Sequence, residues 1–320
     1  MSSKTVSNVV NDFVHVAPAT REKVLRSIAE LGYQPNVTAR RLVTGRTGTL
    51  ELAVSDVSLP YFAELARRIS RIAASRGYRL LLEQTGSSIQ AERAVLHNRE
   101  SGLVDGLIFQ PSLLGTEELA EYTVDTPVVL LGENAVPEAV DSVMIDNVSA
   151  AREATAHLLR LGRRRVAFVG HEAYGLSETS RQRIQGFREA LTRIGIAPDP
   201  ALEIAAPAIS SQAAADAVGR ALDAGLVVDA VFCRDDLSAL GTLRALHERG
   251  HRVPEDVAVV GWDDVAMSAF MRPTLTTVRP DAEELARLAL EMLEQRIAGQ
   301  GGPGRHVLVG HTLVVRESAP

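Results

Sequence analysis

The chain has little of what several functions require. It holds a single cysteine, Cys233, which excludes an intrachain disulfide and fits a reducing cytosol. Aromatic residues make up only 4%, and Trp262 is the one tryptophan. No apolar run approaches membrane length, and the first residues contain no signal-peptide core. There is no G-x-S-x-G, no H-E-x-x-H and no phosphate-binding loop. The eight histidines are scattered, and none stands in metal-ligand spacing with cysteine or another histidine. His247 and His251 come nearest, but Gly250 between them marks a helix end. The expectation is a cytoplasmic protein that is not an enzyme and carries no cofactor or metal.

What is present is an ordinary globular composition, 46% hydrophobic and 23% charged. A length of 320 residues suits one small module plus a body of two subdomains. The net charge of −6 is unevenly spread. Residues 1–48 carry seven cations (Lys4, Arg21, Lys23, Arg26, Arg40, Arg41, Arg46) against Asp12, Glu22 and Glu30, so +4, which leaves −10 for the rest. A basic head on an acidic body is the electrostatic footprint of a nucleic-acid-binding module.

In that head, Val6, Val9 and Val10 recur at helical spacing, while Ser3, Lys4, Ser7, Asn8 and Asn11 occupy the other face. Short hydrogen-bonding side chains on one face suit base edges and phosphates, and equally an ordinary solvated face. A second helix is expected from an N-cap at Thr20, with Val24, Ile28 and Leu31 as its stripe and Gly32 as its stop. After Tyr33-Gln34-Pro35, Asn36 is placed to cap a short helix from Val37 to Val43. It puts Ala39 and Leu42 on one face beside Arg40 and Arg41. An exposed leucine flanked by arginines suits an apolar wedge in a minor groove.

Beyond a Gly- and Thr-rich linker (44–49), strands alternate with helices. LELAV, RLLLE, GLIF, VVLL and SVMID are separated by helical patterns at 60–76, 89–101 and near 117–122. The pattern restarts at 149–161 with VAFVG, LEIAA, AVFC and VAVVGWD and the helices between them. LTTV, a helix over 281–298, the turn-rich GQGGPG and VLVGHTLVV close the chain. Continuous apolar strands alternating with helices predict an α/β fold with two doubly wound parallel sheets. Ligands of such folds sit beyond the carboxyl ends of the strands.

TVSNVVN, TREKV, ELGYQPN and ARRL, dense and in order, resemble the LacI/GalR family of bacterial transcription regulators. The resemblance implies a helix-turn-helix head and hinge over residues 1–48, and a periplasmic-binding-protein-like body over 49–320. The N-subdomain is then expected at about 49–147 and 277–302, and the C-subdomain at about 148–276 and 303–320. The resemblance further implies that Ser3, Lys4 and Asn8 contact bases, and that Thr5, Ser7, Asn11 and His15 hold phosphates. Leu42, beside Ala39, would be the intercalating wedge. Family members carry a helix ahead of the recognition helix, which the residues before Thr5 do not supply. Weakened DNA binding is expected on that account.

For the effector, the resemblance points to Tyr61 and Phe62 in DVSLPYF, Arg183 in RIQGF, and Asp263 in GWDD. Trp262 could stack on a sugar or fill the core. Asp235 matches an effector position, with Asp236 expected as the cap of the following helix. Glu133, after Gly132, stands near a family aspartate position. The family implies a homodimeric regulator that binds operator DNA and is controlled by a small molecule, most often a sugar. Apolar stripes near 60–76 and 281–293 are available for a dimer interface. A transporter's solute-binding protein, a sugar-converting enzyme and a DNA-silent effector sink are the rival readings.

Overall fold

In the computed structural model of the chain, residues 2–10, 13, 15–31, 46–97, 102–123, 127–132, 136–172 and 176–320 are described. The expected hinge helix with Ala39 and Leu42, and also Asn11 and Glu133, lie outside them. Helix α1 (Ser3–Val10) and helix α2 (Pro18–Leu31) pack on each other, and Val9 of the first and Val24 of the second are buried. Ser2 caps α1, its hydroxyl accepting from the Thr5 amide. Thr20 does not cap α2. The Ala17 carbonyl already accepts from the Thr20 and Arg21 amides, and Pro18 opens the helix, where its missing N–H costs nothing. Leu31, expected in the apolar stripe, is 80% exposed.

The body is two six-stranded sheets. The first contains β1 (Thr49–Val54), β2 (Arg79–Gln84), β3 (Gly106–Phe109), β4 (Val128–Leu131), β5 (Asp141–Ile145) and β11 (His306–Val309), all parallel. Its order is β11-β5-β4-β3-β1-β2. The second contains β6 (Val166–His171), β7 (Glu203–Ala205), β8 (Ala230–Cys233), β9 (Ala258–Trp262), β10 (Thr276–Pro280) and β12 (His311–Val314). Its order is β12-β10-β9-β8-β6-β7, and only β12 runs antiparallel. Helices α3 (Pro60–Ser75), α4 (Ile89–His97) and α5 (Thr116–Thr123) belong to the first sheet. Helices α6 (Asn147–Arg160), α7 (Glu178–Arg193), α8 (Ser211–Asp223) and α9 (Asp236–Glu248) belong to the second. Helix α10 (Ala282–Ile297) returns to the first sheet and packs on α3, β3, β4 and β5.

The central strands are buried on both faces, which is why they read as unbroken apolar runs. Strand β2 differs, because it is an edge, and Leu81 and Leu82 are about half exposed. The stripes of α3 (Leu65, Ile69, Ala73) and α10 (Leu285, Ala289, Leu293) are buried within one core. They are consumed inside the subdomain and do not supply the expected dimer face. Among the described residues no helix is long and apolar enough to cross a membrane.

Strand pairing moves two expected subdomain boundaries. Residues Thr276–Val278 pair with β9, and His306–Val309 pair with β5. The late crossings therefore fall at Asp281 and Gly310, not at 277 and 303, and the Asp281 amide donates to the Gly310 carbonyl. The GQGGPG turn lies wholly on the first sheet's side, and VLVGHTLVV splits at Gly310 into strands of different sheets. Chain leaves the carboxyl ends of β5 and β10 to reach the other sheet, so the carboxyl ends of both sheets face each other.

Asp141 secures the return of α10. Its fully buried carboxylate accepts from Arg296 at 2.9 Å on both oxygens, and from the Arg305 side chain and amide. Burial alone would push this carboxyl up, but the hydrogen bonds from Arg296 and Arg305 outweigh it and hold the group well below the usual aspartate range. Asp141→Ala is expected to cost about 3–5 kcal/mol in urea unfolding, because it strands two arginine partners. The folded pKa is depressed, so this contribution is complete above the unfolded aspartate value and disappears as pH falls below it. An unchanged unfolding midpoint for the variant at pH 7 would contradict this role.

Candidate functional site

Arg183 is the centre of the strand-end cluster. Helix α7 presents it, and Gly186 one turn later allows the approach to α6: a Cβ there would stand 2.2 Å from the Val148 carbonyl. Arg183 is 7% exposed. Its Nε donates to Asn147 Oδ1 at 2.9 Å, its Nη1 donates to the Arg234 carbonyl, and its guanidinium lies 3.9 Å over the Trp262 ring. Trp262 is fully buried beside Phe232. It is core, and it meets the site through Arg183 rather than by a face of its own.

Asp263 follows β9 with φ +106°, and Asp264 follows with φ +51°, two consecutive residues in a region that L side chains seldom adopt. Burial raises the Asp263 carboxyl well above its ordinary range; the Arg183 charge opposes this, and Asp236 and Asp235 reinforce it. Asp264 is held from two sides, by Arg279 Nε at 2.6 Å and Arg316 Nη2 at 2.7 Å. A crevice of about 380 Å³ runs beside this turn. Tyr61, Glu64 and Arg68 of α3 line it from one subdomain and Asp263 and Asp264 from the other, with Asp281 and Gly310 at the crossings. Phe62 meets the Tyr61 ring edge-on at 5.3 Å and packs on the core instead of lining the crevice. Glu64 Oε1 accepts from the Ala266 amide at 2.9 Å and so joins the two subdomains directly.

The Asp235–Asp236 pair is the reverse of its expected order. Asp235 caps α9, its Oδ1 accepting from the Ser238 amide at 2.7 Å. Asp236 is already the first helical residue, so its side chain turns inward. It accepts from Thr277 Oγ1 and Ser268 Oγ, both at 2.6 Å, and from the Val265 amide at 3.0 Å. It thereby ties α9 to the segment that carries Asp263.

Sequence reasoning missed Asn147, Glu172, Arg234 and Asp264. Arg234 Nη1 donates to Glu172 Oε1 at 2.8 Å, and its Nε stands 3.5 Å from Asp235 Oδ2. Burial would raise the Glu172 carboxyl, but Arg234 brings it below its ordinary range. Doubled acids and an Asp-Asn at strand ends were the available signals; the Glu172–Arg234 pairing, across 62 residues, had none.

In the head, Ser3, Lys4, Thr5, Ser7 and Asn8 all lie on α1. Thr5 Oγ1 bonds the Ser2 hydroxyl at 2.9 Å, and Asn8 is half-buried, its carbonyl accepting from the Phe13 amide. His15 is exposed and meets Phe13 edge-on at 5.6 Å.

Burial pushes Asp236 up to about 7 in spite of its three donors. A carboxyl with a raised folded pKa binds a proton in the fold that the unfolded chain has already lost. Stability is therefore expected to fall as pH rises from about 4 to about 7. Asp236→Asn, shaped like the protonated acid, should make that slope shallower by about 1.4 kcal/mol per pH unit. Denaturant unfolding at pH 5, 6 and 7 measures it; parallel slopes for the two proteins would refute the assignment.

Comparison with known proteins gives this geometry its context. Residues 1–36 match bacterial regulatory proteins of the lacI family, and residues 155–319 match the periplasmic binding protein-like domain. The HTH-type transcriptional regulator CelR of Thermobifida fusca is 36% identical, over 98% of this chain and 94% of its own. A CelR–cellobiose complex superposes with TM-score 0.76 at 33% identity, covering 99% of this chain and 96% of that one. A lac repressor dimer bound to operator and the anti-inducer ONPF superposes with TM-score 0.89 at 28% identity, over 100% and 96%. A helix-pair head, two facing parallel sheets and identity at this level along nearly the whole chain place the protein in the LacI family of bacterial transcriptional regulators.

Proposed function

We propose that this chain represses transcription by binding operator DNA as a homodimer, and that a sugar or related metabolite held between its subdomains controls that binding. The observation that carries the reading is the buried Arg183 cluster at strand ends that face a second set of strand ends. Arginine, aspartate and asparagine in a desolvated cleft suit ligand hydroxyls, each of which can both donate and accept. The ligand would bear on Asp263, and Asp264 beside it is tied to Arg279 of β10 and to Arg316 just beyond β12. Effector and operator affinities would then be linked through the angle between subdomains. For the dimer, the half-exposed Leu81 and Leu82 on the unpaired edge of β2 offer an apolar strip to a second copy. A transporter's solute receptor would have no use for the basic N-terminal helix pair, and an enzyme reading finds no catalytic motif to rest on.

The test follows the fluorescence of Trp262, the only tryptophan, during titration with sugars, sugar phosphates, nucleosides and purines. One compound is expected to give a saturable change. Arg183→Ala should weaken it at least about tenfold, the loss of one buried charged hydrogen-bonding group. The same compound should alter retardation of DNA taken from upstream of the protein's own gene. A panel that moves neither fluorescence nor melting temperature would sink the reading.

A further inference from the structure

Resting on the reading above, we infer that the cleft selects uncharged hydroxyl-bearing ligands against their phosphorylated or acidic forms, and that Glu172 and Arg234 set this preference. Two kinds of observation lead there.

The first is charge balance. Two guanidinium groups, Arg183 and Arg234, sit at the carboxyl ends of β6, β8 and β9, and each is less than a tenth exposed. Unpaired arginines so placed would form an anion site. Here Glu172 takes Arg234 at 2.8 Å and Asp235 stands 3.5 Å away, while Arg183 is spent on Asn147, the Arg234 carbonyl and the Trp262 ring. Glu172 and Asp235 offset the two cations, Asp236 and Asp263 stand close by as further acids, and an incoming phosphate would have to displace a carboxylate.

The second is the kind of atom left without a partner. Among the described residues, the buried side-chain atoms of this cluster that lack a hydrogen bond are Asp235 Oδ2, whose nearest cation is Arg234 Nε at 3.5 Å, with Glu172 Oε2, His171 Nε2, Ser180 Oγ and Trp262 Nε1. His171, at the end of β6, meets the Glu172 carbonyl through Nδ1 at 2.9 Å. A carbonyl can only accept, so in the neutral ring Nδ1 carries the proton and Nε2 is an acceptor, buried and without a partner among the described residues. Three of these atoms, on Asp235, Glu172 and His171, need donors, and only Trp262 Nε1 is limited to donating. A ligand hydroxyl in their reach supplies donors; a phosphate or carboxylate group in the same place supplies further acceptors and leaves them unsatisfied, at a cost comparable to a lost hydrogen bond each.

The experiment uses the full chain and three matched pairs: glucose and glucose 6-phosphate, cellobiose and its 6′-phosphate, adenosine and AMP. Affinities come from calorimetry and Trp262 fluorescence, and melting temperatures confirm that each variant folds. The wild type should bind the unphosphorylated member of one pair at least about tenfold tighter, the value of one unsatisfied buried acceptor. Glu172→Gln keeps an acceptor for Arg234 and removes the balancing charge. It should raise affinity for the phosphorylated member about tenfold and so close the gap. Asp235→Asn should act in the same direction. Equal or tighter wild-type binding of a phosphorylated member would overturn the inference and leave the effector reading intact. Equal weakening of both members by Glu172→Gln would also overturn it, since a structural strut behaves that way. Binding of none of the six would overturn both the inference and the reading beneath it.

Discussion

Charge sealed at the carboxyl ends of the second sheet has to be balanced inside the fold, and much of the body's organisation follows from that. Arg183, Arg234, Asp235 and Asp236 come from α7 and from the end of β8, and each is less than a tenth exposed. Each is tolerable because a partner stands within bonding reach: Asn147 for Arg183, Glu172 for Arg234, the Ser238 amide for Asp235, and Thr277 and Ser268 for Asp236. The close helix crossing at Gly186 serves the same end, since it lets Arg183 meet Asn147. A site of this kind is formed before a ligand arrives, and a ligand has to fit an electrostatic arrangement that is nearly closed.

The crossings turn that arrangement toward a partner surface. All three leave or enter at the same ends of their sheets, so the first subdomain lays Tyr61 and Glu64 against the turn after β9. The contact from Glu64 to the Ala266 amide is one hydrogen bond between the two bodies, beside an apolar core to which both contribute. One such bond is worth about 1 kcal/mol, small enough for a ligand to outweigh.

Much of the architecture was legible in the sequence, because doubly covered strands leave unbroken apolar runs such as GLIF, VVLL and AVFC. The same rule misleads at RLLLE, which is as apolar as its neighbours but forms an edge; position in a sheet is not encoded in one strand. The late boundaries were misplaced because GQGGPG announces itself as a connection, whereas the true crossings are Asp281 and Gly310. The stripes of α3 and α10 were visible, but not that each is the other's partner. Arg183 and Asp263 were singled out by family resemblance, and the structure sets both near the ends of the second sheet's strands. The roles of Asp235 and Asp236 hung on a one-residue difference in where α9 begins. Pairing of Glu172 with Arg234 is a tertiary fact, fixed only once β6 and β8 lie side by side.

Asp264 has a mechanical consequence. Arg279 comes from β10, two residues before the crossing at Asp281, and Arg316 from the segment after β12, the strand that begins at the Gly310 crossing. A body turning about an axis moves least near that axis and exerts the largest force there for a given torque. Asp264 lines the same crevice as the crossings at Asp281 and Gly310, and so does Asp263, one residue away. On the proposed reading, a ligand that pushes Asp263 by a fraction of an ångström would work on the short arm of a lever, whose long arm ends at the far rims of the subdomains.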